Sequence, residues 1–158
     1  MTTFTDSHGF DRGSTGFNTA GLHKTHVVAV DLDFAAITTA RVAASATALG
    51  AGDILNVISL PAKCYVVAAG IDVTTAEGAT QTFDLGDGTD PDGYLDGVDG
   101  NAVASYAPSQ VLAEATPNTV VGYAFGKYYA SADTIDIVCV NACDTAVVRV
   151  WAIVVDCS

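Results

Sequence analysis

The chain is poor in cations. Its 158 residues include 6 Lys and Arg against 18 Asp and Glu, for a formal net charge of −12 and an isoelectric point near 4.1. No basic residue falls between Lys63 and Lys127. So few cations cannot build the positive footprint that a phosphate backbone requires, which excludes nucleic acid and anionic membrane as expected partners. Met and Trp occur once each, although half of the sequence is hydrophobic. The apolar content is Ala and Val, with Val, Ile and Thr in short runs that suit pleated strands. Long apolar stretches are missing too: Ala146 to Val155 is too short to span a bilayer and contains Arg149. Residues 1–24 lack the basic leader and apolar stretch of a signal peptide, so the expectation is synthesis in the cytoplasm. There Cys64, Cys139, Cys143 and Cys157 are expected to remain thiols.

Catalytic signatures are equally scarce. His8, His23 and His26 lie in or beside an N-terminal stretch without periodicity, a poor place to hold a base in register with a nucleophile. Nucleophile elbow, phosphate loop and dinucleotide fingerprint are absent, so no catalytic residue is assigned. The four thiols lack the paired Cys-x-x-Cys spacing of a zinc knuckle and read as buried small hydrophobes.

Two regions divide the chain. Residues 1–26 are rich in Gly, Ser, Thr and Asn and read as an extended arm. Phe4, Phe10 and Phe17 are spaced along it, as anchors of a docking arm would be; an arm without consequence is the other reading. Residues 27–158 read as one β-sandwich or jelly-roll domain of about eight short strands divided by Gly, Pro and Asp. Val28, Val30, Leu32 and Phe34 alternate with Asp31 and Asp33. The stretch 35–52 reads as loop and short strand. Asp53 to Leu60 stops at Pro61. In the strand 66–75, Val67, Ala69, Ile71 and Val73 share a face. Gln81, Phe83 and Leu85 alternate next, followed by a long loop over 86–101. Residues 119–129 alternate through Val121, Tyr123 and Phe125, and strands over 134–140 and 145–156 are joined by the turn 141–144.

The last strand is apolar on both faces: Val148, Val150, Ala152 and Val154 on one, Val147, Trp151, Ile153 and Val155 on the other, interrupted by Arg149. Such a strand must be covered on both sides. One cover is the sandwich core; the second is either a loop of the same chain or a neighbouring subunit. Val147, Arg149, Trp151, Ile153 and Val155 are therefore interface candidates, with Phe4, Phe10 and Phe17.

The loop 84–100 gathers Asp84, Asp87, Asp90, Asp92, Asp96 and Asp99 among glycines. Calcium takes about six to eight oxygens, so these carboxylates are its candidate ligands. The EF-hand register fails, with Pro91 and Asp92 standing where an acidic ligand and a glycine belong. A solvated acidic turn cluster is the favoured reading, with no cofactor.

The segment from Leu49 to Gly88, LGAGDILNVISLPAKCYVVAAGIDVTTAEGATQTFDLGDG, resembles the decoration or cement proteins of tailed-bacteriophage heads. Gly52 and Asp53 open a strand, Leu60 to Ala62 turn it, Val66 to Thr74 form the Val-rich strand, and Phe83 to Asp87 precede an Asp/Gly loop. The similarity spans about a quarter of the chain. It implies a jelly-roll protein on the outer surface of a capsid, often trimeric, clamping adjacent major capsid protein subunits. Cys64 has no counterpart in that pattern. The alternative is a receptor- or carbohydrate-binding β-sandwich of a virion spike or fibre. Tyr94, Tyr106, Tyr128 and Tyr129 are the aromatic candidates for that role.

Overall fold

The computed structural model describes residues 25–107, 122–123 and 125–157, and the backbone of 4–5 and 11–13. Phe4–Thr5 (β1) pairs antiparallel with Asp11–Gly13 (β2). The body runs Thr25–Asp33 (β3), Phe34–Ala43 (α1), Asp53–Leu60 (β4), Cys64–Thr75 (β5), Thr82–Gly86 (β6), Leu95–Asp99 (β7), Ala104–Tyr106 (β8), Lys127–Tyr129 (β9), Asp133–Cys139 (β10) and Val147–Asp156 (β11). The fold is all-β, a sandwich of two antiparallel sheets. One sheet has the order β4-β10-β6-β7. The other is β3-β11-β5-β8, with β9 paired to β5 beside β8.

Alternation fills the space between the sheets. Val148, Val150, Ala152 and Val154 of β11 and Ala69, Ile71 and Val73 of β5 face Ile135 and Ile137 of β10 and Phe83 and Leu85 of β6, all of them buried. At one end Phe34 stacks on Phe83 with ring centroids 5.3 Å apart.

Three expectations need correction. The stretch 35–52 contains α1, not a short strand. Asp33 ends β3 and caps the helix, its side chain accepting from Ala36 N at 3.0 Å, and Ala-rich sequence then propagates the helix. Only Phe34 is buried from it, so the helix shows almost no apolar periodicity. The long loop expected over 86–101 holds β7, whose Leu95 and Val98 point inward around Gly97 at φ +70°. Val67 does not share the inward face of Ala69. The register against β11 shifts between Ile153 and Val154, an irregularity that turns Val67 outward, 44% exposed. The turn expected between β10 and β11 is present and passes from one sheet to the other. Of the expected strand over 119–129, only β9 is a strand among the described residues, and Val121 lies outside them.

Candidate functional site

Three arrangements stand out, each made by chain geometry. The first lies where the loop after β6 meets β9. Asp87, with a fully buried side chain, receives Lys127 Nζ on Oδ2 at 2.5 Å. Tyr129 OH donates to the same oxygen at 2.7 Å. Oδ1 accepts from Thr89 N at 2.9 Å, Asp90 N at 3.1 Å and Tyr123 OH at 3.2 Å. Tyr94 and Tyr129 share a hydroxyl contact of 2.9 Å, and Lys127 Nζ stands 4.2 Å from the Tyr123 ring centroid. Gly93 makes room for this cluster: a Cβ there would run into the Tyr123 ring.

Burial alone would raise the Asp87 pKa, but the bonds from Lys127, Tyr129, Thr89 and Asp90 hold it below the usual carboxylate range. Burial would likewise lower Lys127, and Asp87 and Tyr123 instead hold it above the ordinary lysine value. Burial pushes the Tyr94 and Tyr129 phenols far up. Around neutral pH these shifts favour a charged Asp87–Lys127 pair beside neutral Tyr94 and Tyr129 phenols.

Other acidic residues of the loop bond locally, with Asp92 and Asp96 near enough to Asp84 to act on its charge. Asp84 accepts from Gly97 N at 2.8 Å and Asp99 from Asn101 N at 2.8 Å. Asp90 bonds to Asp92, which raises its pKa. Among the described residues no group of three or more His, Cys, Asp or Glu side chains is placed to hold a metal ion.

The second arrangement was not foreseen. Glu77, buried in the turn after β5, accepts from Asp144 N at 2.9 Å on Oε1, and from Ala146 N at 2.7 Å, Thr145 N at 3.0 Å and Cys143 Sγ at 3.1 Å on Oε2. Burial opposes the charge, yet these donors hold the carboxyl below its ordinary value. Glu77 thereby pins the β10–β11 crossover. An isolated Glu between Ala and Gly gives no sequence signal of this role. Cys139 and Cys143 are buried thiols near that crossover, and all four cysteines are free.

The third arrangement is the outward face of the five-stranded sheet. Cross-strand partners share a face, so register defines it. Tyr128, Tyr65, Val155 and Thr25 form one row; Ala68, Ile153 and Val27 form the next; Gly70, Trp151 and Ala29 follow. Asp72, Arg149 and Asp31 close the face with charge, Arg149 Nε donating to Asp31 Oδ1 at 2.7 Å and Nη2 to Oδ2 at 3.0 Å. Trp151 lies over Gly70, where a Cβ would collide with the indole and with the Tyr106 carbonyl. Val27 is 73% exposed, while Trp151, Ile153 and Val155 are half-buried. Of the interface candidates, the structure thus brings Val147, Arg149, Trp151, Ile153 and Val155 onto one surface. Phe4 falls in β1; Phe10 and Phe17 lie outside the described residues. Among the tyrosine candidates, Tyr94 and Tyr129 are buried and Tyr106 half-buried, whereas Tyr128 is exposed.

No family model matches the chain, and no curated protein does. Solved structures do. A chain of the cyanophage Pam1 capsid asymmetric unit is similar over 96% of both chains, with a TM-score of 0.53 and 16% identity. A chain of the acidic stable capsid of Helicobacter pylori bacteriophage KHP30 covers 85% of this chain and 89% of its own, with a TM-score of 0.52 and 13% identity. What these share with the present chain is the fold.

Proposed function

We propose that the chain is a non-catalytic structural protein of a phage head, a decoration protein that sits on the outer capsid surface and stabilises contacts between major capsid subunits. One observation carries the reading: a sheet apolar on both faces, within a sandwich whose fold recurs in two phage capsids. Val27, Trp151, Ile153 and Tyr128 offer contact area, and Arg149, already paired with Asp31, marks its border. The saturated Asp87 and Glu77 clusters serve to hold loops, which suits a protein whose work is done by surface.

Many copies on one shell need bind only modestly each, and association of copies, as a trimer for instance, raises the effective concentration of the remaining contacts. An acidic exterior keeps particles apart. Quantitative mass spectrometry of purified particles tests this directly. Hundreds of copies per particle are expected, and absence from particles would refute the role. Binding to a glycan array with loss on Tyr128→Ala would favour the receptor-binding alternative.

A further inference from the structure

A strand at the edge of a sheet presents backbone N–H and C=O groups that need partners, and proteins blunt such edges with shortness, charge, glycine or a bulge. Among the described residues, three of the four edges of the sandwich are blunted in this way. β8 and β9, which share one edge, are three residues each. β7 carries Asp96 and Asp99 and bends at Gly97. β4 carries Asp53 and Asn56 and meets β10 across a register shift. β3 has none of these devices. It is nine residues long, is exposed from Thr25 to Ala29, and runs against β11 without a register shift. From Thr25 to Val30 it contains no Asp, Glu, Lys, Arg, Gly or Pro, and among the described residues it pairs with β11 alone. We infer that in solution this edge pairs antiparallel with β3 of a second copy, so that one sheet runs through a two-fold dimer.

The strand is complementary to itself, which selects a second copy as the occupant. Opposed residues of an antiparallel pair share a face, and a two-fold axis restricts which of them meet. With the axis at Val28, Val27 faces the second copy's Ala29, His26 its Val30, and Thr25 its Asp31. Apolar rows then cross the junction on both faces, and Asp33 stays outside the pairing, where it caps α1. An axis at Ala29 would instead set Val27 against Asp31, and one at Val30 would set it against Asp33. On the inner side, the second copy's Val28 and Val30 fall on the rows of Val28 and His26. Those two residues line a cavity of about 150 Å³ with Leu60, Pro61 and Val154, so the added strand stands at its mouth. The only formal charge in the paired segment is Asp31, already bonded to Arg149. The strands therefore meet without the repulsion that a net charge of −12 imposes on the molecule as a whole. The inference goes beyond the role on a shell and does not depend on it.

Sedimentation equilibrium of the full-length protein should give twice the chain mass of 16.1 kDa. A monomer at every concentration tried would overturn the inference, and so would a trimer, because this pairing closes at two copies. Val27 is 73% exposed, so Val27→Lys should leave the circular dichroism spectrum unchanged. It should weaken the dimer at least about ten-fold, since it sets a charge in the apolar rows of both copies. A dimer unaffected by that substitution would place the contact elsewhere and overturn the assignment to β3. The register has its own test. Under copper phenanthroline, Val28→Cys should form a covalent dimer, because that position faces itself across the axis, whereas Ala29→Cys and the parent protein with its four thiols should not. Linking through position 29 in preference to 28 would overturn the register.

Discussion

Lys127 and Asp87, forty residues apart in sequence, form an ion pair in which the carboxylate is completely enclosed and the ammonium only partly so. The pair joins β9 to the loop after β6; Tyr123 and Tyr129 bond to its carboxylate, and Tyr94 in turn contacts the Tyr129 hydroxyl. Its energetics are asymmetric. Enclosing the two charges costs desolvation that their attraction offsets, but removing one partner strands the other.

Lys127→Met should therefore destabilise the protein by about 3–5 kcal/mol, through an uncompensated buried carboxylate. The double variant Lys127→Met, Asp87→Asn should recover part of that loss. Urea denaturation of both proteins, followed by circular dichroism, checks the ordering.

Stability should depend on pH with two opposing trends. Asp87 and Glu77 titrate lower in the folded chain than unfolded, so their stabilisation is full at neutral pH. It is lost as pH falls from about 4 toward their depressed folded values. Asp84, Asp90 and Asp136 titrate higher when folded, so they cost stability at neutral pH and return it as pH falls through their raised values. Urea midpoints should hold or rise slightly on mild acidification, then drop steeply. Asp87→Asn should flatten the steep limb.

Glu77→Gln keeps the shape of the side chain but turns a donor toward backbone N–H groups. We expect a loss of about 1–3 kcal/mol and faster amide exchange at Asp144, Thr145 and Ala146, the three amides that Glu77 accepts from. Hydrogen exchange read by NMR resolves these positions individually.

Gly70→Ala should cost about 1–3 kcal/mol by overpacking, because the new methyl meets both the Trp151 ring and the Tyr106 carbonyl. Trp151 emission should shift with it. A variant as stable as the parent, with unchanged emission, would show that the indole has room to move.

The legible parts of the fold were those written in local alternation. Asp53 to Leu60 ends at Pro61 as its residues imply, and β11 reveals both of its faces in sequence. Features carried by single irregularities were hidden. The helix starts from Asp33, which reads equally well as the polar residue of a strand. β7 is masked because Gly97 breaks the period between Leu95 and Val98, and Val67 is turned outward at a register shift no sequence period marks. The acidic loop reads in sequence as a solvated turn cluster, yet its Asp87 is enclosed and paired with Lys127, a distant cation beside Tyr128 and Tyr129. Long-range pairing of that kind leaves no trace in local spacing.

Between β3 and β11 only the β6–β7 and β8–β9 connections keep to one sheet; every other one crosses to the opposite layer. The polypeptide is thus laced through both layers like a bootlace through two rows of eyelets. Six covalent crossings tie each layer to the other, and the two are expected to lose their order together rather than one sheet at a time.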